Sequence, residues 1–268
     1  MDTDPDALRA LAVEVGVAAG ELLLRFAAEL AGGADLGVSH KSSATDPVSE
    51  ADAAAERTIV EGLTTALPDD GILGEEGEGQ REGTSGRTWV IDPLDGTVNF
   101  LYGQPLWCVS IACVDAEGVL AGAVVHPPAG EVLSAARGGG AWLGGRPLTV
   151  NRTPELARAL VATGFSYRPE VRAAWGQAVA ELLPGVRDVR RGGAAALDLA
   201  WVAAGRFDGY VEFGLKPWDW AAGGLLIEEA GGLVTEVSHS LGGSREPGLV
   251  AGGAAVHDAL LARVEALL

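Results

Sequence analysis

Hydrophobic and polar positions in the first half of the chain predict two helices followed by a run of strands. Residues 7–31 are rich in alanine and leucine but carry charged side chains at intervals, which is typical of an amphipathic helix and excludes a membrane span. A second helical pattern runs from Ser49 to about Leu67, with Ser49 as the N-cap and Asp52 completing a capping box. Apolar runs separated by turn sequences then predict strands at 88–92, 106–114, 119–126, 131–136 and 141–143. This succession indicates an antiparallel meander.

Strands and helices alternate in the second half. The pattern predicts strands at 156–165, 186–193, 207–213, 233–237 and 248–253, and helices at 169–185, 194–206 and 219–232. Such alternation is typical of an α/β arrangement. We therefore expect an N-terminal α+β half, residues 1–150, and a C-terminal α/β half, residues 151–268.

Composition and charge limit the classes of function. A chain of 268 residues with 48% hydrophobic content can bury a large core, and its formal net charge of −18 argues against a nucleic-acid groove. The excess of carboxylates suits divalent cations, although solubility alone would also explain it. Cys108 and Cys113 lie five apart on one predicted strand, so they face opposite sides and cannot pair. Buried thiols and the absence of a signal-peptide pattern favour a cytoplasmic protein without a membrane partner.

The segment TWVIDPLDGTVNF, residues 88–100, places two carboxylates at the end of an apolar run. Asp92 and Asp95 could be ordinary turn-forming aspartates, since Asp-Pro and Asp-Gly are common in turns. However, strand ends often carry ligand sites, and the free N–H groups after Gly96 could hold an anion. Carboxylates could bind a metal ion, and the amides that follow them could bind a phosphate. This order predicts a site for metal-assisted phosphoryl transfer.

Three further carboxylates are candidates, each with an ordinary structural alternative. Glu75 ends a short apolar run in LGEEG but could be a solvated acidic turn. Asp219 begins an apolar helix in KPWDWAAGG, where it could be only a helix cap. Asp52 could likewise be a cap or a surface residue. The four histidines show no ligand spacing and are expected at the surface, and no side-chain arrangement suggests a covalent nucleophile, which favours direct attack by water.

Taken together, the run D-P-L-D-G-T, the upstream G-E-E and the downstream W-D-W-A-A-G-G resemble the inositol monophosphatase family of magnesium-dependent, lithium-sensitive phosphatases. The segments KSSATDPVSEAD and RRGGAAALDLAWVAAGRFDGYVE match further motifs, so the resemblance covers nearly the whole chain. It implies a five-layer αβαβα fold of the sugar-phosphatase type, with the site between the two halves, and a homodimer. The implied activity is Mg²⁺-dependent hydrolysis of a phosphate monoester, with myo-inositol 1-phosphate as the expected substrate.

Two alternatives stay open. The same chemistry could act on histidinol phosphate or on a nucleoside 3′,5′-bisphosphate, or the chain could be a regulatory or scaffold protein that retains the fold. The substrate is the less specific part of the resemblance, because Val98 and Ala194 stand where relatives often carry other residues.

The resemblance also implies a role for individual residues. Two to three Mg²⁺ ions would be held by the carboxylates of Glu75, Asp92, Asp95 and Asp219 and by the backbone carbonyl of Leu94. Thr97, assisted by Asp52 and with Glu75 beside it, would activate the attacking water. The substrate would contact Asp95, Gly96, Thr97, Gly193, Ala194, Ala195, Glu212 and Asp219. Lys41 matches a family lysine near the metal loop.

Overall fold

The computed structural model describes residues 4–40, 47–77 and 79–268. Lys41, expected near the metal loop, lies outside the described residues. The helices are α1 (Pro5–Ala31), α2 (Glu50–Ala66), α3 (Thr97–Leu101), α4 (Pro169–Leu182), α5 (Ala195–Ala203), α6 (Pro217–Glu229) and α7 (Ala254–Leu267). None of the helices in the described ranges is long and apolar enough to cross a membrane.

The strands form three sheets. The first half contains β1 (Ser39–His40), β2 (Pro47–Val48), β3 (Gly71–Gly74), β4 (Thr88–Asp95), β5 (Cys108–Asp115), β6 (Gly118–His126), β7 (Glu131–Ala136), β8 (Gly140–Leu143) and β9 (Arg146–Pro147). The second half contains β10 (Leu160–Thr163), β11 (Asp188–Arg190), β12 (Gly209–Phe213), β13 (Leu233–Leu241) and β14 (Ser244–Gly252). Apart from the small β1–β2 pair, the strands build a seven-stranded and a five-stranded sheet.

Strand order explains how the two larger sheets are built. The seven-stranded sheet runs β3 to β9 in sequence order; β3 is parallel to β4, and every later neighbour is antiparallel, as the meander prediction requires. The five-stranded sheet has the order β11-β10-β12-β14-β13, with parallel pairs around β10 and antiparallel pairs around β14. The meander and the mixed second sheet thus fall on either side of residue 150.

The elements stack in five layers, which confirms the predicted αβαβα architecture. Helices α1 and α2 cover the outer face of the seven-stranded sheet, and α5 and α6 fill the space between the two sheets. Helices α4 and α7 cover the outer face of the five-stranded sheet. The described residues form three apolar cores: one on the outer face of each sheet, and one around α5 and α6, which the inner faces of both sheets share.

The two cysteines show the alternation of faces along β5. Cys108 belongs to the core of the middle layer, whereas Cys113 belongs to the core under α1 and α2. Both thiols are buried and free, as predicted. The surface expectation for histidine is wrong at two positions: His126 and His257 are each only 4% exposed. In each ring Nε2 lies within hydrogen-bond distance of a partner, the carbonyl of Pro105 for His126 and the hydroxyl of Thr235 for His257, which offsets part of the cost of burial.

Candidate active site

A β-bulge brings the two aspartates at the end of β4 to one side of the sheet. Residues three apart on a regular strand face opposite sides, so Asp92 and Asp95 could not otherwise share a site. The pairing with β5 shifts here: Asp92 lies opposite Ser110 and Asp95 opposite Cys108, which leaves one extra residue on β4. Because Ser110 and Cys108 both face the middle layer, both aspartates do so too.

Thr97 follows directly, at the start of the short helix α3. Gly96 caps this helix with a φ of +92°, a conformation that side chains rarely adopt, and an added Cβ would lie 2.8 Å from the carbonyl of Leu106. The turn directs the Thr97 hydroxyl back towards the end of β4, where its Oγ1 is 3.1 Å from both the Leu94 carbonyl and Asp52 Oδ1. Glycine at position 96 therefore permits the turn that places Thr97.

Asp52 reaches Thr97 from the first turn of α2. The other oxygen of its carboxylate, Oδ2, accepts hydrogen bonds from the backbone N–H of Ser49 at 2.8 Å and from the Ser49 hydroxyl at 2.6 Å. The predicted capping arrangement is thus present. Asp52 is only 1% exposed, so one buried carboxylate both caps α2 and holds Thr97.

Two other carboxylates are held at the first turns of the middle-layer helices. Asp95 Oδ2 accepts the backbone N–H of Ala196 at 2.7 Å in the first turn of α5. Asp219, in the first turn of α6, accepts the backbone N–H of Lys216 at 2.6 Å. Free N–H groups and the helix dipole both favour a negative charge at these positions. The cap that the sequence suggested for Asp219 is therefore real and fixes its orientation.

Glu75 follows β3 at the same edge of the sheet. Its backbone N–H donates to the carbonyl of Ile91 at 3.1 Å, which continues the β3–β4 pairing up to the aspartates. Glu56 of α2 accepts the backbone N–H of the next residue, Glu76, at 2.9 Å and is fully buried. The loop that carries Glu75 is thus tied to α2.

These groups surround one cavity of about 470 Å³ between the two sheets. The residues expected at the site that line it are Glu75, Asp92, Leu94, Asp95, Gly96, Thr97, Gly193, Ala194, Ala195, Glu212 and Asp219. Asp52 is not in the lining and contacts the cavity through Thr97. The structure therefore brings together every described residue that the sequence assigned to the site.

Three charged residues of the lining were not assigned a role from the sequence: Arg168, Lys216 and Glu246. Arg168 Nη1 donates to Glu246 Oε1 at 2.6 Å, so the two form an ion pair on the cavity wall. Arg168 follows a predicted strand and Lys216 precedes Asp219 in its motif. The position of Arg168 after a strand and of Lys216 beside a motif could have indicated a place at the site. Glu246 lies in a polar stretch without any such signal.

The carboxylates repel one another in a space with little solvent. Burial raises the pKa of Asp92 well above the usual range of a carboxyl, and the charges of Glu75, Asp95 and Asp219 raise it further. Burial also raises the pKa of Asp95 to about 7, against the opposing effect of the Ala196 N–H. The pKa of Asp219 is raised well above its usual value by burial, and the Lys216 N–H opposes the shift. A cation in the cavity would remove this repulsion.

This donor set fits magnesium. Hard divalent cations prefer carboxylate and carbonyl oxygens, and both types line the cavity. Within residues 4–40, 47–77 and 79–268, no group of three or more His, Cys, Asp or Glu side chains is placed so that it could hold a metal ion together. Magnesium does not need one, because it keeps several waters and takes only one or two carboxylates per ion. Pairs of the lining carboxylates, with the Leu94 carbonyl, would therefore suffice.

Comparisons with known proteins agree with this architecture. A family model described as the inositol monophosphatase family matches residues 4–267. The chain is 43% identical over 279 residues to a Mycobacterium tuberculosis protein named inositol-1-monophosphatase SuhB, covering 98% of this chain and 95% of that one. It is 42% identical over 261 residues to Nus factor SuhB of Pseudomonas aeruginosa, covering 95% and 94%. A solved structure described as Thermotoga maritima IMPase superposes with a TM-score of 0.84 at 32% identity, covering 98% of each chain.

The family model and both sequence relatives extend along nearly the whole chain. The cavity between the two sheets lies within the matched region, together with all of the carboxylates that surround it. The protein therefore belongs to the inositol monophosphatase family of phosphatase enzymes, which confirms the resemblance found in its motifs.

Proposed function

We propose that the protein hydrolyses a phosphate monoester with the help of Mg²⁺, and that myo-inositol 1-phosphate is its substrate. One observation carries the proposal: four carboxylates and the Asp52–Thr97 pair converge on a single cavity between the two sheets. Repelling anions destabilise a fold unless a cation offsets them, so such an arrangement favours a metal-dependent reaction.

The proposed ligands are the carboxylates of Glu75, Asp92, Asp95 and Asp219 and the carbonyl of Leu94. When bound there, two to three Mg²⁺ ions would supply charge neutralisation for the phosphate, a lowered pKa for water and stabilisation of the leaving alkoxide. The hydrogen bonds from Lys216 to Asp219 and from Ala196 to Asp95 each engage one oxygen, Oδ2 in both cases.

Thr97 and Asp52 would orient the attacking water. Thr97 Oγ1 has a single hydrogen, which it can donate to Asp52 Oδ1 at 3.1 Å. The lone pairs of the hydroxyl then remain free to accept a hydrogen bond from water. The other oxygen of Asp52 accepts two hydrogen bonds from Ser49, so the carboxylate is held towards Thr97 and can receive the proton that leaves the water.

The cavity also offers distinct walls for the phosphate and for the alcohol. The backbone N–H groups of Gly96 and Thr97 would receive the phosphate. Gly193, Ala194, Ala195 and Glu212 would line the alcohol side. A carboxylate at position 212 would accept hydrogen bonds from vicinal hydroxyl groups and would repel a second phosphate, which favours a ring polyol over a bisphosphate.

The test is a substrate panel with and without Mg²⁺. Wild-type protein should release phosphate only with the metal, and kcat/KM should be higher for inositol 1-phosphate than for histidinol phosphate or a nucleoside 3′,5′-bisphosphate. A tenfold preference for the bisphosphate would contradict the proposed substrate while leaving the metal chemistry standing. No Mg²⁺-dependent release from any monoester would contradict the activity itself.

A homodimer is part of the proposal. Leu24 and Tyr102 are exposed beside an apolar groove of about 490 Å³ between the second half of α1 and residues 100–107. A second copy would remove this apolar surface from water. Sedimentation should give a dimer for the wild type and a monomer for Tyr102→Asp. A monomeric wild type would contradict this part of the proposal.

The name of the Pseudomonas aeruginosa relative, Nus factor SuhB, favours a second candidate: a role exercised by binding a partner. The net charge of −18 argues for a protein or metal-bridged partner over direct nucleic-acid contact. Asp92→Asn separates the candidates, because it should abolish phosphate release and leave a surface-mediated role intact.

A further inference from the structure

The carboxylate of Glu212 is held from two sides by residues outside the proposed catalytic set. Glu212 and Tyr210 lie two apart on β12 and therefore share a face of the strand. Tyr210 belongs to the core of the middle layer and has no exposed surface. Its hydroxyl donates a hydrogen bond of 2.7 Å to Glu212 Oε2.

Gly164, just after β10, closes the other side. A Cβ built at position 164 would overlap both oxygens and the Cδ of Glu212. The residue is not among the glycines with positive φ, so its backbone is open to any amino acid. A larger residue here would have to displace the carboxylate, since β10 and β12 are neighbours in register at this end.

We propose that Tyr210 and Gly164 are positioning residues that fix the Glu212 carboxylate for the hydroxyl groups of the alcohol, and that they thereby select polyhydroxylated leaving groups. The inference rests on the proposed function and concerns the substrate class of the same cavity, which both Gly164 and Glu212 line.

The physical argument concerns freedom of movement. A glutamate side chain has three rotatable bonds, and ordering it costs free energy unless neighbours restrict it in advance. Tyr210 occupies Oε2, and the carboxylate fills the space that any side chain at position 164 would need. Oε1 is left to accept hydrogen bonds from the alcohol. A preordered carboxylate discriminates strongly between substrates, because a leaving group without hydroxyls would leave the buried charge of Glu212 without hydrogen-bond donors.

The protonation states are compatible with these roles. Burial and the nearby carboxylates raise the pKa of Tyr210 well above its usual value, so the phenol remains a donor. Burial raises the pKa of Glu212 to about 7, and the hydrogen bond from Tyr210 opposes that rise. The tyrosine therefore supports the charged form that would accept hydrogen bonds from a polyol.

The first experiment compares two substrates on Tyr210→Phe: inositol 1-phosphate and p-nitrophenyl phosphate, whose alcohol has no vicinal hydroxyls. We expect kcat/KM for inositol 1-phosphate to fall about tenfold, mainly through KM, and that for the aryl ester to change less than about twofold. A merely structural role would lower both values together. An equal fall for both substrates, or no fall for either, would overturn the inference.

The second experiment uses Gly164→Ala, which inserts a methyl group against the Glu212 carboxylate. The matched control is Gly176→Ala on α4, where an added Cβ meets nothing within 4 Å. Gly164→Ala should lower inositol 1-phosphate turnover selectively, and Gly176→Ala should behave as wild type. If Gly164→Ala retains wild-type preference between the two esters, the carboxylate is not held as proposed.

A double-mutant cycle guards against variants that fold poorly. In a Glu212→Gln background, Tyr210→Phe should cost little further preference for inositol 1-phosphate, because the charged acceptor is already gone. Additive losses would overturn the inference. If the wild type shows Mg²⁺-dependent hydrolysis and all variants keep its preference between the two esters, only the positioning role is refuted. If the wild type shows no hydrolysis, the proposed function is refuted.

Discussion

Thr97 is the residue whose removal should affect chemistry most selectively. Thr97→Ala removes the hydroxyl that lies 3.1 Å from both Asp52 Oδ1 and the Leu94 carbonyl and can donate to Asp52. We expect kcat to fall by roughly 10²–10⁴, the range for loss of general-base assistance, with little change in KM. Steady-state kinetics on inositol 1-phosphate measure both.

Thr97→Ser is the matched control, because it retains the hydroxyl and loses only the methyl group. It should keep most of the wild-type kcat. If Thr97→Ala instead raised KM with kcat unchanged, the hydroxyl would be a phosphate contact and not part of water activation.

The sequence identified those site residues that stand next to a local signal. Asp92 and Asp95 follow an apolar strand, and Asp219 begins an apolar helix, so each was visible without long-range information. Two carboxylates close to the site, Asp198 of α5 beside Glu212 and Glu56 of α2, were not visible, because a carboxylate within a helix is usually solvent-facing, yet both are buried here. Their burial depends on which face of each helix is covered by the rest of the fold. No local sequence pattern encodes that information.

At the scale of elements, the turn from β4 into α3 depends on Gly96. Gly96→Ala forces a side chain into a φ of +92° and against the carbonyl of Leu106. Gly86→Ala is the matched control, since it has a φ of +83° but nothing within 4 Å of an added Cβ. We expect the control to lose about 1–2 kcal/mol of unfolding free energy and Gly96→Ala to lose more.

Urea unfolding monitored by fluorescence gives the unfolding free energies of both variants. Gly96→Ala should also reduce kcat/KM, because the turn places Thr97, whereas Gly86→Ala should not. Equal losses of stability in the two variants would mean that the contact with the Leu106 carbonyl is readily relieved.

Element boundaries were predicted well where apolar alternation is regular and poorly where it is not. Helix α1 begins two residues before the predicted range and ends with it. Strands β13 and β14 extend further than expected because the polar segment 238–247 continues their pairing across the Gly242–Gly243 turn. Within this segment, His239 contacts Glu265 of α7 and Glu246 pairs with Arg168 just before α4, so its order depends on residues elsewhere in the chain.

For the molecule as a whole, the carboxylate cluster predicts an unusual pH dependence. Asp95 and Glu212 have pKa values of about 7 in the folded protein, above those of unfolded carboxyls. The folded state therefore binds more protons than the unfolded state between about pH 4 and pH 7, and its stability falls as pH rises through that window. In EDTA, the melting temperature should be lower at about pH 8 than at about pH 5.

Magnesium should reverse this fall, because the carboxylates that it binds no longer need protons. A melting temperature in EDTA that rises steadily from acidic to neutral pH would show that the cluster is not strained by its own charge. Calorimetry at several pH values, with and without the metal, makes the comparison.

Mg²⁺ itself should stabilise the protein by mass action, by about 2.7 kcal/mol at a concentration a hundredfold above its Kd. Asp92→Asn should remove most of this effect. It should also raise the melting temperature of the metal-free protein, because asparagine keeps the hydrogen bond from the Leu94 N–H and loses the charge. Normal turnover and a normal response to Mg²⁺ in this variant would contradict the proposed ligand set.

The middle helical layer has a consequence for how the chain is made. The ribosome releases all seven strands of the first sheet before α5 and α6 exist, and those helices cover its inner face. Until they emerge, Ala112, Val124 and Leu133 on that face are open to water and to other nascent chains. A product terminated near residue 150 should therefore be retained by chaperones or precipitate. The late helices then protect the first half from aggregation at the same time as they bring Asp219 to the cavity.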